Sequence, residues 1–225
     1  RQIWAVSPLG CVGMFLLGGV FSAQFGMAPV YGAEAGLSVP QISIFVSMFF
    51  VGSLVLQYPI GWLSDRMDRR WLILGVAAVG SVSTGVGAFL GLDFKTLLAL
   101  GFIMGGMASP LYSLLIAYTN DFLEVEDMAA ASGGLVFVYG TGAVVGPVLT
   151  GQMMSLVGPH GFWLFLSAFF GLIVVYAAWR MTRRPSTPVD ETGAYVGVSP
   201  TGSPVALAAA QEWYVETAEE SAEDE

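Results

Sequence analysis

The residues best suited to chemistry lie in one short hydrophilic stretch, Gly61-Trp-Leu-Ser-Asp-Arg-Met-Asp-Arg-Arg70, which holds five of the chain's charged residues. Asp65 and Asp68 stand there among Arg66, Arg69 and Arg70. Such a set makes ion pairs and charge-assisted hydrogen bonds, which can form and break as a unit. It is not equipped to make covalent bonds. A second set consists of uncharged polar and aromatic residues inside apolar runs: Phe21, Gln24, Phe25, Gln57, Tyr112, Ser113, Tyr118, Tyr139 and Thr141. These can stack on, or hydrogen-bond to, a solute. Signatures of bond-making are missing: there is no Walker loop, HExxH or paired-cysteine motif, and no intramembrane Ser/His/Asp set. The lone Cys11 excludes an intramolecular disulfide and a cysteine-based metal site, and His160 falls in a turn. The sequence therefore implies no enzyme, no cofactor and no metal.

Composition decides what must position these residues. The chain is 55% hydrophobic and 11% charged, where soluble domains carry about 25% charged residues. Six apolar segments, at roughly 8–30, 39–62, 71–91, 95–118, 130–156 and 161–181, are each long enough to cross a bilayer core as a helix. Helices satisfy their backbone polar groups internally at that depth, and no alternating strand pattern competes. The expected fold class is thus all-α, integral to a lipid bilayer, with a six-helix transmembrane bundle over residues 1–184. Residues 185–225 turn rich in Pro, Ser, Thr and Gly and then acidic, which reads as a disordered acidic tail, with a short helix around Ala206–Thr217 as the lesser alternative. The net charge of −9 resides in that tail, since nine of the 17 acids lie beyond Val189. It carries no implication of a nucleic-acid partner. With the Gly61–Arg70 loop in the cytoplasm, Arg1, Arg66, Arg69, Arg70, Arg180, Arg183 and Arg184 share its side and only Lys95 lies opposite. That asymmetry places both termini in the cytoplasm.

Within the spans, Gln24 is the main polar group of the first, with a solute contact and an interhelical hydrogen bond equally weighted. The fourth carries Pro110 followed by Tyr112 and Ser113, and a mid-helix proline frees a carbonyl that polar neighbours must satisfy. The sixth is apolar and aromatic all round, so it is expected to face lipid. Asp121, Glu124, Glu126 and Asp127 between the fourth and fifth spans invite an ion-pair network with the loop arginines.

The pattern Gly-x-Leu-Ser-Asp-Arg-x-Asp-Arg-Arg, set between two apolar runs, resembles the loop between the second and third helices of each six-helix half of major facilitator superfamily transporters. The run Gly142-x-x-x-Gly146-Pro147-x-x-x-Gly151 resembles that family's Gly-Pro bend motif, with Thr150 where a second glycine would be expected. Ser7-Pro-Leu-Gly, Leu56-Gln-Tyr-Pro-Ile-Gly and Tyr139-Gly-Thr-Gly-Ala-Val-Val-Gly-Pro are most like the YcaD-like bacterial inner-membrane subgroup. The resemblance implies a 3+3 inverted repeat and a gating latch. Asp65 would cap the start of the fifth helix, near Asp127–Ala131, when the inner gate is closed. Gly61 would let that helix pack closely, and Arg66 and Arg69, with Arg70 beside them, would hold Asp65 or pair with Asp121, Glu124 and Asp127. A helix N-terminus carries about half a positive charge and unpaired N–H groups, so a carboxylate suits it.

No arginine occurs between Trp71 and Trp179, whereas first halves usually carry one in the fourth helix, so the chain reads as a C-terminal half. Arg1–Val6 then resembles the end of the linker between halves, and the start without methionine reads as a fragment or a processed form. The expected function is secondary transport of a small solute by alternating access, with an N-terminal six-helix half as partner. The alternative is a six-helix membrane scaffold or assembly subunit without transport.

Overall fold

The computed structural model describes residues 4, 6–90, 93–123, 125–183, 195 and 197, with only the backbone at 125–127 and 129. Six helices fill this range: α1 (Pro8–Glu34), α2 (Val39–Ser64), α3 (Arg69–Phe89), α4 (Phe94–Asn120), α5 (Val125–Val157) and α6 (His160–Met181). All six are long and apolar enough to cross a membrane, and no strand occurs among the described residues. Local chemistry sets their starts. Ser7 Oγ accepts the Gly10 N–H at 3.2 Å ahead of α1, and the Gln41 carboxamide accepts the Ser38 N–H at 2.9 Å ahead of α2. Asp68 caps α3 by accepting the Arg70 N–H at 2.9 Å, which is why α3 starts two residues earlier than hydropathy suggests; it also ends two residues earlier, at Phe89. Gly36 and Gly158, with φ of +77° and +73°, make the turns into α2 and α6 in a conformation that glycine alone adopts readily.

Five residues of α1, Ala23–Met27, form a π-helical turn. Pro29 follows two residues after Met27; it has no N–H, and its ring crowds the carbonyl four residues back, so the turn ahead of it opens. Gln24 lies in that widened turn.

Packing repeats with two-fold logic. The principal pairs are α2 with α4, α1 with α5, and α3 with α6. Exchanging the first three helices for the last three turns the first pair into the second and the third into itself. Atomic contacts obey the same exchange. A Cβ at Gly52 would lie 1.9 Å from the Phe102 carbonyl oxygen, and one at Gly105 would lie 2.1 Å from that of Phe49. Their counterparts are Gly142, 1.8 Å from the Phe15 carbonyl oxygen, and Gly18, 2.0 Å from that of Tyr139. Each helix of these two pairs thus presents an aromatic residue three positions before its glycine, and the glycines let the backbones touch. Between α3 and α6 the hydroxyls of Ser81 and Ser167 each donate to the other's carbonyl at 2.9 Å. This is the expected inverted repeat, visible residue by residue.

The sixth helix departs from expectation. Hydrophobic all round, it was expected to face lipid, yet it buries Phe162, Trp163, Phe165, Leu166, Phe170 and Ile173. Glycines on α3 receive two of these rings: Gly80 lies under Phe170 and Gly87 under Trp163. Its outer face, with Leu172, Val175 and Trp179, stays exposed.

Candidate functional site

At the loop end of the bundle the three arginines take three different roles. Arg69, 2% exposed, forms an ion pair with Asp121 at the C-terminus of α4 and donates to Ser64 Oγ at 3.2 Å and to the Ala117 carbonyl at 3.4 Å. One guanidinium therefore ties the α2–α3 loop to the end of α4 and adds a second donor to the Ala117 carbonyl, which also accepts the Asp121 N–H at 3.1 Å. Arg70 turns back onto Asp68, with Nη2 2.7 Å from Oδ2. Burial pushes the Asp68 carboxyl up, but hydrogen bonds from Arg70 and its charge outweigh that and hold it below the usual value. Arg66 lies over the Trp62 ring, 4.1 Å from its centroid, and donates to the Trp62 carbonyl at 3.1 Å.

Among the described residues, Asp65 and Gly61 contact Tyr195 rather than the fifth helix. The described partner of Asp65 is the main-chain N–H of Tyr195, which donates to Oδ1 at 2.8 Å. A Cβ on Gly61 would lie 2.6 Å from Tyr195 Cδ1. The physical reason is helix pairing: α2 lies along α4, while α5 lies along α1. Of the acids expected to complete the latch, Asp121 is engaged by Arg69, whereas Glu124 and the side chain of Asp127 lie outside the described residues. Residues 185–194, 196 and 198–225 of the expected tail, including the suggested helix around Ala206–Thr217, also lie outside them. Tyr195 and Gly197, which composition assigned to that tail, are placed against the bundle instead.

Toward the middle of the spans, the structure gathers four of the expected solute contacts. Phe21 stacks on Phe25 at 5.9 Å between centroids and meets Tyr139 edge-on at 6.0 Å, and Tyr139 meets Tyr112 at 5.4 Å. Phe25 also contacts Phe49 and Phe50 of α2. This aromatic cluster joins α1, α2, α4 and α5. Gln24 is 1% exposed, and its carboxamide oxygen has no hydrogen-bond partner among the described residues. Such an oxygen costs about 1–3 kcal/mol unless a hydrogen-bond donor reaches it. Ser113 is buried next to Tyr112, and Gln57 is half-buried on α2. Two expected contacts stand apart: Tyr118 packs on Phe122 near the loop end, and Thr141 is exposed with its hydroxyl bonded to the Val138 carbonyl at 2.6 Å.

The Gly-Pro run of α5 serves close packing on α1. Gly142 faces the Phe15 carbonyl, and a Cβ at Gly146 would sit 2.2 Å from Ser22 Oγ and 2.6 Å from the Gly19 carbonyl. Gly151 has room, its nearest neighbour being Met27 Cε at 3.7 Å. α5 continues through Pro147, and Thr150 donates to the Gly146 carbonyl at 2.8 Å. Sequence reasoning missed Tyr195, Asp68 as a cap and the π turn; of these, Pro29 and the Asp68–Arg70 spacing were readable signals.

The family model described as Major Facilitator Superfamily matches residues 10–212. Among curated proteins, the uncharacterized MFS-type transporter YfkF of Bacillus subtilis is 30% identical over 137 residues, covering 60% of this chain and 34% of its own. The MFS-type transporter YcaD of Escherichia fergusonii is 24% identical over 184 residues, covering 80% of this chain and 46% of its own. A further MFS-type transporter, from an Enterobacter species, is 30% identical over 159 residues, 68% of this chain and 41% of its own. The chain therefore spans between about a third and a half of the length of these relatives.

Proposed function

The chain belongs to the major facilitator superfamily, and on that premise we propose that it forms the C-terminal six-helix half of a secondary transporter. The half would move a small uncharged or amphipathic solute by alternating access across a bacterial inner membrane, with both termini in the cytoplasm.

The observation that carries this reading is the uneven burial of the helices. In their most apolar stretches α1 and α4 are 67% and 83% buried, whereas α2 and α5 are only 17% and 22% buried. Those two outer helices expose Phe50, Leu54, Tyr58, Phe137, Val144 and Val148. In an inverted-repeat transporter the solute site lies between two such bundles, near the midplane. The α2 and α5 faces offer a second bundle its seat, and the aromatic cluster with Gln24 lies next to them. Rings, hydroxyls and one carboxamide suit a solute without fixed charge. The coupling carboxylates would belong to the other half, since this chain's spans carry none near their centres.

Alternating access needs contacts that differ between states. The exposed Asp65 carboxylate is such a contact, because it holds a main-chain N–H that a moving helix end could equally supply. The buried Arg69–Asp121 pair is the opposite, a fixed strut that keeps the loop on α4 through the cycle.

The test is flux in vesicles carrying the full native polypeptide, screened against a panel of uncharged and amphipathic solutes. Transport of at least one solute, reduced by Gln24→Leu and by Asp65→Asn, supports the proposal. Absence of flux across the panel, from a protein that is folded and paired, would favour a scaffold role instead.

A further inference from the structure

We propose that the groove between α2 and α4 at the loop end of the bundle is a peptide-docking site, and that its occupant is the chain's own segment around Tyr195. Gln57, Gly61 and Asp65 are spaced by four and so form a single stripe on α2. The segment follows that stripe. Asp65 accepts the Tyr195 N–H at 2.8 Å, the Tyr195 ring lies on Gly61, and a Cβ at Gly197 would lie 2.3 Å from the Gln57 carboxamide nitrogen. From Tyr195 to Gly197 rising numbers meet falling numbers on α2, so these two residues are ordered antiparallel to the helix. The ring reaches across to α4, where the Ser113 hydroxyl is its polar neighbour. Burial pushes its phenol up to about 12, Ser113 opposes that shift, and the Asp65 carboxylate adds to it.

The fit is specific. Any side chain at position 61 would enter the ring, and a glycine there leaves a notch the width of an aromatic edge. A carboxylate at the lip supplies the acceptor that an extended backbone needs, and an aromatic side chain is an efficient anchor because it buries much area with few rotatable bonds. Docking has a consequence for gating. The Asp65 carboxylate that holds the tail is the group expected to hold a helix end in the closed inner gate, so the two engagements exclude each other. Docking also covers Gln57 and the approach to Ser113, both candidate solute contacts. Tyr195 and Gly197 therefore occupy the loop end of the α2 stripe in this conformation. The docking itself does not depend on transport; its consequence for gating rests on the transporter reading.

The experiment is cysteine cross-linking in native membranes, in the full chain with Cys11→Ser. The pair Gln57→Cys with Gly197→Cys should oxidise to an intramolecular disulfide under mild oxidant. Adding Asp65→Ala or Tyr195→Ala should slow it by about tenfold or more, since each removes one anchor of a charge-assisted hydrogen bond or an aromatic seat. Tyr195→Phe keeps the ring and the N–H and should cross-link nearly as fast as the parent. Asp65 is exposed, so its substitution leaves folding intact even if a Gly61 variant does not. A rate no higher than that of Gly197→Cys with Lys95→Cys, at the other end of the bundle, would overturn the proposal. So would a rate that neither Asp65→Ala nor Tyr195→Ala changes. Because the readout is a bond and not flux, a failure here leaves the transport proposal standing, and a failure of flux leaves this one standing.

Discussion

Gly142→Ala adds one methyl group where α5 meets α1, and the geometry fixes the consequence. The new Cβ would lie 1.8 Å from the Phe15 carbonyl oxygen and 2.8 Å from its carbon. Carbon and its neighbours rest at about 3.5 Å or more, so the helices must part by more than ~1 Å. Neither side can yield by a rotamer change, because both contacts are backbone. Parting the pair also loosens its partner contact, Gly18 on the Tyr139 carbonyl, since both lie on one seam. Overpacking typically costs about 1–3 kcal/mol, and two rigid backbones place this substitution at the upper end, near 3 kcal/mol. For a protein of this size that is about 6–12 °C in Tm. Gly140→Ala, two residues away with nothing within 4 Å, is the internal control and should be neutral or slightly stabilising. The assay is thermal unfolding of the purified protein in detergent, followed by circular dichroism and by the loss of the monodisperse peak on size exclusion. Gly52→Ala, the counterpart on α2, should behave as Gly142→Ala does. Equal midpoints for Gly140→Ala and Gly142→Ala would refute the backbone-contact reasoning.

Further outcomes are expected at the other sites. Arg69→Met leaves the Asp121 carboxylate, 3% exposed, without its guanidinium and should cost about 3–5 kcal/mol, whereas Arg69→Met with Asp121→Leu should recover most of it in the same unfolding assay. Gln24→Leu removes a buried oxygen with no described partner, so it should raise Tm while lowering flux, a split that a purely structural residue would not give. Asp68 has a depressed folded pKa, so its contribution to stability is present above the unfolded carboxylate value of about 3.9 and is lost as pH falls through the lower folded value. Tm of the parent should therefore fall more steeply below about pH 4 than that of Asp68→Asn. Ser81→Ala breaks one of two reciprocal hydrogen bonds between α3 and α6 and should cost only about 0.6 kcal/mol.

Six membrane-crossing helices could be read from composition and hydropathy because burial in lipid demands long apolar runs whatever the neighbours. Their ends could be read only where capping chemistry was noticed. Asp68 moves the start of α3 to Arg69, and α5 begins at Val125, ahead of its apolar stretch, because backbone hydrogen bonds extend a helix into polar residues. The small residues were legible as packing residues but not their partners. Gly105 stands four residues after Gly101, a spacing that suggests small-residue packing, while the contact it makes is with the Phe49 backbone, part of an aromatic-x-x-Gly repeat present on four helices. That repeat relates segments far apart in the chain, and hydropathy has no access to such a relation. The loop arginines illustrate the same limit at the site. Their charge located the loop, but which of them is buried depends on where Asp121 falls at the end of α4. Tyr195 was least legible of all: one aromatic residue in a stretch rich in glycine, serine and proline carries no periodic signal, and only the notch at Gly61 gives it a seat.

The central claim is that this bundle is one half of a transporter, and the mass of the native polypeptide tests it most directly. Intact mass spectrometry under denaturing conditions, on protein taken from its own membrane, should give about twice the 23.8 kDa of this stretch. A 23.8 kDa polypeptide that also remains single under native conditions would contradict the account, because the exposed faces of α2 and α5 would then have no second bundle to meet.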